Sequence, residues 1–171
     1  IQSLFSRVNY VYDEKYLLEL NIRRDASSRF SSDFRYGYFP SASAGWRISQ
    51  EKFMSNVNWI SDLKLRASWG ITGNDNIANY LYAQTYNVGL DYFLGNTIVS
   101  AAALTTLSNP NVKWETIEQY DIGIDAGLFR NSLTITADYF NRSSYDLLYS
   151  NFPIPSSIGV TNLSAINAAS M

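Results

Sequence analysis

Asp121, Asp125 and Asp138 are the residues whose types and spacing come nearest to chemistry in this sequence. A hydrolytic pair needs two carboxyl groups roughly 5–9.5 Å apart. On an extended strand Asp121 and Asp125 stand about 13 Å apart, which is too far. A two-residue turn at Arg130-Asn131 sets Asp138 opposite Gly123, diagonal to both aspartates and about 7 Å from each. The same placement suits a polar wall facing water or basic side chains, and the composition favours the wall. The chain has no His and no Cys. That excludes Ser-His-Asp chemistry, HExxH metal sites, thiol nucleophiles and thiolate zinc. No catalytic, cofactor-binding or metal-binding residue is expected.

The remaining polar groupings read the same way. Arg7 lies diagonal to Glu19 across the first hairpin, an ion pair of the wall. Lys64 and Arg66 would attract anionic cargo, but acids on the same face balance them. Asn74-Asp75-Asn76 resembles half a calcium loop without the bidentate Glu such a loop requires, so it is a turn. With 13 Lys plus Arg against 15 Asp plus Glu, there is no basic excess for phosphates, and no nucleic-acid partner is expected.

The surplus is aromatic, with 13 Tyr, 9 Phe and 4 Trp. So many half-polar rings suit a membrane interface or a binding groove better than a soluble core. In the long segment 73–113, Tyr80, Tyr82, Tyr86, Tyr92 and Phe93 are the candidate cargo-binding residues. Their flat apolar faces suit sugar or peptide side chains. The same rings would also serve to pack the segment against its neighbours.

The elements that carry these residues have a period of two. Leu4 to Tyr12, Tyr16 to Arg23, Tyr36 to Ile48, Leu63 to Thr72, Trp114 to Leu128 and Leu133 to Arg142 each alternate an apolar with a polar set. These are six strands, most of ten or more residues; ten residues tilted by about 45° rise roughly 23 Å, close to a membrane's hydrocarbon band. A turn at Asp13-Glu14-Lys15 pairs Tyr12 with Tyr16 and stacks Tyr10 on Leu18. The turn at Arg130-Asn131 sets Ile124 beside Ala137. The link 50–62 is a short helix or packed turn. The links 24–35, 73–113 and 150 onward are long. Within 73–113, Tyr82 to Val88 is a candidate strand, and Ile98 to Leu107 suits helix or strand.

Short turns on one side and long loops on the other are the pattern of outer-membrane barrels. Tyr10, Tyr12 and Tyr16 form one aromatic girdle, and Tyr36, Tyr38, Trp69 and Trp114 form the other. Arg24 and Glu118 alone fall on the apolar parity, both toward the long-loop end. A soluble sandwich whose apolar faces pack together is the alternative. Six strands cannot close a membrane barrel, and the chain begins without Met or a leader, so a piece of a larger barrel is expected.

Several stretches carry a resemblance to a known family. They are Arg7-Val8-Asn9-Tyr10, Arg23-Arg24-Asp25-Ala26-Ser27-Ser28-Arg29-Phe30 and Gly37-Tyr38-Phe39-Pro40-Ser41 with Gly45-Trp46-Arg47. Leu63-Lys64-Leu65-Arg66-Ala67-Ser68-Trp69-Gly70-Ile71-Thr72-Gly73-Asn74 follows. Asn109-Pro110, Lys113-Trp114-Glu115-Thr116, Gln119-Tyr120-Asp121-Ile122-Gly123, Asp138-Tyr139-Phe140-Asn141-Arg142 and Asp146-Leu147-Leu148 complete the series. In this order they resemble the SusC/RagA-type TonB-dependent transporters of the Gram-negative outer membrane. The resemblance implies an all-β, antiparallel up-and-down transmembrane β-barrel of about 22 strands. Residues 1–171 would supply six consecutive strands of that barrel domain, with the plug domain and the other strands outside the chain. It further implies a non-enzymatic importer of glycan fragments (oligosaccharides) or peptides. Its partners would be a SusD-type surface lipoprotein, outer-membrane lipid, and the TonB complex reached through the part preceding this chain. A surface β-domain that binds glycan or peptide without transport, and a structural or adhesin barrel, are the alternatives.

Overall fold

The computed structural model describes residues 1–171 apart from Thr105, Asn151, Ser156, Ile158, Gly159 and Thr161. Thirteen strands are described. β1 is Gln2–Tyr12, β2 Tyr16–Ala26, β3 Tyr36–Arg47, β4 Ile60–Asn74, β5 Tyr86–Leu94, β6 Thr97–Leu104 and β7 Thr106–Leu107. β8 is Glu115–Leu128, β9 Leu133–Tyr145, β10 Leu147–Tyr149, β11 Phe152–Pro153, β12 Asn162–Leu163 and β13 Ile166–Ala169. Six of them build one antiparallel sheet in the order β1-β2-β3-β4-β8-β9. These are the six strands expected from the alternation, and they are 11 to 15 residues long. No helix among the described residues is long and apolar enough to cross a membrane.

The registers follow from the side-chain pattern. Tyr12 pairs with Tyr16, Tyr10 with Leu18, and Val8 with Leu20. Ile124 pairs with Ala137, and Gly123 with Asp138. A slip of one residue would set apolar against charged side chains along a whole strand. The Asp13-Glu14 turn is left-handed at both residues (φ 50° and 53°), which matches the twist of the flanking strands.

The link between β3 and β4 is a pair of 3-10 turns, Ile48–Gln50 and Lys52–Met54; Ile60 already belongs to β4. It is locked to the first hairpin. Glu51 accepts hydrogen bonds from the Tyr16 hydroxyl at 2.7 Å and the Trp46 indole N–H at 3.1 Å. Lys15 Nζ lies 2.8 Å from Asp13 and 3.8 Å from Glu51. The Tyr16 and Trp46 hydrogen bonds hold the Glu51 carboxyl below the usual carboxylate range. The hydrogen bond to Lys15 does the same for Asp13, and its counterpart raises Lys15.

The small buried core sits at the opposite, long-loop end. Phe30, Phe39, Val112, Trp114 and Ala165 form it. Pro40 has no N–H to offer a ladder; the β3–β4 pairing accordingly runs only from Ser41–Gly70 to Arg47–Lys64. Where it stops, the Phe39 ring occupies space that Gly37 and Gly73 leave, since a Cβ on either would overlap the ring. The Trp114 ring packs 5.1 Å from Phe30 and 5.4 Å from Phe39. Trp114 is therefore not part of an exposed girdle, as its parity suggested. It precedes the first residue of β8, where strand alternation no longer fixes its direction, and burial against two rings gains more than the surface offers.

The sandwich alternative fails on exposure. Leu18, Ile22, Ile122 and Ile135 remain 42%, 51%, 56% and 47% exposed, with no second layer over them among the described residues.

Candidate functional site

Two surfaces carry the functional side chains: the polar face of the six-stranded sheet and the long segment between β4 and β8. On the polar face three adjoining grooves of about 440, 450 and 620 Å³ follow the strands. Asn9, Glu19, Lys64, Arg66, Asp121 and Asp138 line the first. Several charges on this face pair with each other. Arg66 donates from Nε and Nη2 to Asp125 at 2.7 and 3.1 Å, and Nη2 also reaches Asp138 at 3.0 Å. Thr136 donates to the same Asp125 at 3.2 Å. Gly123 makes this possible, because a Cβ there would meet the Asp138 carboxylate and lie 3.0 Å from Arg66 Nη2.

Asp121 accepts from Ser68 and Gln119. Arg7 donates to Asn21 at 2.8 Å and lies 3.7 Å from Glu19. Arg23 pairs with Asp25 at 2.7 Å. Carboxylates engaged by a guanidinium and by hydroxyl or amide donors are acceptors already satisfied, which suits a hydrated passage wall. Among the described residues no group of acidic side chains has the spacing of a metal site.

The long segment contains an antiparallel hairpin, β5–β6, paired from Tyr86–Leu104 to Leu94–Thr97. It turns at Gly95-Asn96 with Gly95 at φ +64°, the Gly-first signature of a two-residue hairpin loop. This signal was available in the sequence and locates the strand better than the aromatic run does. The strand expected over Tyr82 to Val88 lies instead at Tyr86–Leu94, and Ile98 to Leu107 is strand, with Thr105 outside the described residues.

The register shifts between Val88 and Leu90, with Gly89 at φ +79°. Only a residue without a side chain takes that conformation freely. The bulge redistributes the candidate rings. Tyr86 and Phe93 share a face with Val88 and Asp91, whereas Tyr92 lies on the other with Leu90 and Leu94. Unbroken alternation would have put Tyr86 and Tyr92 together. Tyr86, Tyr92 and Phe93 are all more than 60% exposed. Tyr80 precedes the hairpin, exposed and at φ 63°, and Tyr82 is half-buried. The structure thus groups two of the five rings on one hairpin face and separates the others.

The loops behind this hairpin are tied together. Asp75 accepts from the Ser27 hydroxyl at 2.8 Å, and Arg29 donates to the Asp75 carbonyl at 2.8 Å and to Asn79 at 3.3 Å. Asn74 accepts from the Asn76 N–H, the turn expected there. Ser31 donates to the Pro110 carbonyl, and Asn109 to the Ala165 carbonyl.

The apolar face carries Leu18, Leu20, Ile22, Ala42, Ala44, Leu65, Ile122, Ile124 and Ile135. Its two charged exceptions differ. Glu118 accepts from the Trp69 indole at 2.8 Å and the Tyr120 hydroxyl at 2.6 Å. Arg24 stacks its guanidinium 4.1 Å above the Tyr36 ring and 5.7 Å from that of Tyr38.

The family described as TonB dependent receptor-like, beta-barrel matches residues 1–170. TonB-dependent receptor P39 of Formosa agariphila is 41% identical over 165 residues, covering 96% of this chain and 15% of the relative. TonB-dependent receptor SusC of Bacteroides thetaiotaomicron is 41% identical over 152 residues, covering 86% of this chain and 15% of the relative. Among solved structures the RagAB peptide transporter superposes with a TM-score of 0.83 at 33% identity, over 98% of this chain and 18% of that one. The siderophore receptor PirA of Pseudomonas aeruginosa shares the fold at 16% identity and a TM-score of 0.57. The chain spans about 15% of the length of the curated relatives it matches. With six long strands paired in sequence, one face apolar and the other polar, the chain belongs to the TonB-dependent receptor β-barrel family, in its SusC/RagA-like branch.

Proposed function

We propose that this chain is part of an outer-membrane importer of glycan fragments or peptides. The protein works with a SusD-type surface lipoprotein and draws energy through TonB. Residues 1–171 belong to its barrel domain, within a closed wall of about 22 strands. The apolar face lies against acyl chains, and the polar face lines the passage. The observation that carries this reading is the two-sided sheet: apolar side chains left exposed on one side, and acid–base pairs satisfying each other on the other. An unclosed sheet in lipid would leave its edges unsatisfied, so β1 and β9 pair with further strands of the full protein. The family supplies the energy coupling and the lid by analogy, and the RagAB peptide importer supports the peptide class. Within the segment 75–108, Tyr80, Tyr82, Tyr86, Tyr92 and Phe93 are the proposed cargo contacts.

Uptake of fluorescent peptide and oligosaccharide pools by cells carrying or lacking the full-length receptor tests this reading. The expected result is receptor-dependent uptake of one pool, abolished when the proton gradient is collapsed. Receptor-dependent binding without internalisation would favour the non-transporting surface domain instead.

A further inference from the structure

The two charged residues on the apolar face have opposite fates. Glu118 is hydrogen-bonded from within, by an indole N–H and a phenol on the same oxygen. Arg24 has no such partner: among the described residues its guanidinium makes no hydrogen bond or ion pair, and Nε is enclosed without an acceptor. Its neighbours Tyr36 and Tyr38 meet it with ring faces. Ring faces stabilise the charge and fix the fork's orientation, but they leave the N–H donors unmet, and a guanidinium beside hydrocarbon is costly without an acceptor. The fork leans over β3, away from β1. A strand paired to the free edge of β1 would lie about 10 Å from Arg24, two strand spacings away on the far side.

A second observation lies further down the same face. An apolar trough of about 350 Å³ is lined by Leu18, Ala42, Ala44, Ala67, Tyr120 and Ile122. The alanines make it, since every strand neighbour on this face is larger. Arg24 pairs with Tyr38, and Ala42 is four residues further along β3, about 13 Å away. A cation at the long-loop end and a small-residue channel below it match one ligand shape: an anionic headgroup with an acyl chain.

We propose that Arg24, caged by Tyr36 and Tyr38, binds the phosphate of an outer-leaflet lipid whose acyl chain lies in the alanine trough. The inference rests on the reading that this face contacts the membrane. The fork geometry of Arg suits a phosphate's paired oxygens better than Lys would.

The test uses the full-length receptor in mild detergent, titrated with diphosphorylated lipid A and followed by native mass spectrometry. Dephosphorylated lipid A and inorganic phosphate run in parallel. The expected result is that Arg24→Gln weakens lipid A binding about tenfold, as loss of a charge-assisted pair should. Ala44→Leu should weaken it independently by filling the trough, and dephosphorylated lipid A should bind both the parent and Arg24→Gln at the weak level. Unchanged affinity in Arg24→Gln overturns the proposal, and so does displacement of lipid A by inorganic phosphate, which would assign the site to the free ion. The receptor is also reconstituted with brominated acyl chains and an Ile122→Cys dye label. Quenching together with unchanged Arg24→Gln affinity overturns the headgroup site alone. Absence of quenching overturns the membrane placement itself.

Discussion

Arg66 on β4 grips Asp125 on β8 with two nitrogens, Nε to Oδ2 at 2.7 Å and Nη2 to Oδ1 at 3.1 Å, and extends the second to Asp138 on β9. One side chain thereby ties three strands across the polar face. Replacing it with Met removes the cation that bridges Asp125 and Asp138. Arg66→Met is expected to lower the thermal midpoint of the full-length receptor. The side chain is 39% exposed, so screening matters, and the loss should shrink between about 0.1 M and 1 M salt. An equal loss at both salt concentrations would mean the effect is packing, not charge.

The Phe39 ring lies in space that Gly73 vacates. Gly73→Ala is expected to destabilise by about 1–3 kcal/mol, the usual range for overpacking. Phe39→Ala removes a buried ring and is expected to cost about 3–5 kcal/mol. In the double variant the alanine methyl enters the vacated space, so the combined cost should fall short of the sum. Chemical denaturation of the four proteins measures the coupling; strict additivity would show that the two positions do not share that space.

Glu51 is held below the ordinary carboxylate range by Tyr16 and Trp46. A lowered folded-state value means that the contribution to stability is complete above the unfolded carboxylate value, near 4.3. It is lost as the pH falls through the folded value. Protease nicking of the link 48–59 is therefore expected to rise below about pH 4 in the parent protein. In Glu51→Gln it should be raised already at pH 7 and should change less on acidification. A parent-like acid response in Glu51→Gln would assign the transition to other groups.

The bulge at Gly89 puts Tyr86 and Phe93 on one hairpin face and Tyr92 on the other. If these rings hold cargo, Tyr86→Ala and Phe93→Ala should be coupled in cargo affinity, while Tyr92→Ala adds independently to either. The double-mutant cycle is read by isothermal titration of the full-length receptor with its transported cargo. No loss from any ring would dismiss the binding role and leave them as packing groups.

The strands and their pairing were legible in the residues themselves. Alternation over ten or more positions fixes which side chains share a face. Two tight turns then fix register, since any slip sets Leu18 or Ile124 among charges. The polar face with its acid–base pairs and the exposed apolar face both follow from that arithmetic. So does the diagonal of Asp138 to Asp125; the Arg66 bridge that binds the two does not.

The ends of the sheet were decided in three dimensions. Trp114 obeys no alternation because it stands outside β8, and its burial depends on Phe30 and Phe39, which are 84 and 75 positions earlier in the chain. The Gly89 bulge hides in a run that alternates well on paper, and it reverses which rings sit together. Whether Arg24 or Glu118 finds a partner on an apolar wall depends on which rings from neighbouring strands reach it, and through what atoms. Local pattern settles a side chain's face, because backbone geometry imposes it at every second residue. What that side chain meets is settled by distant segments, and only the folded chain brings those together.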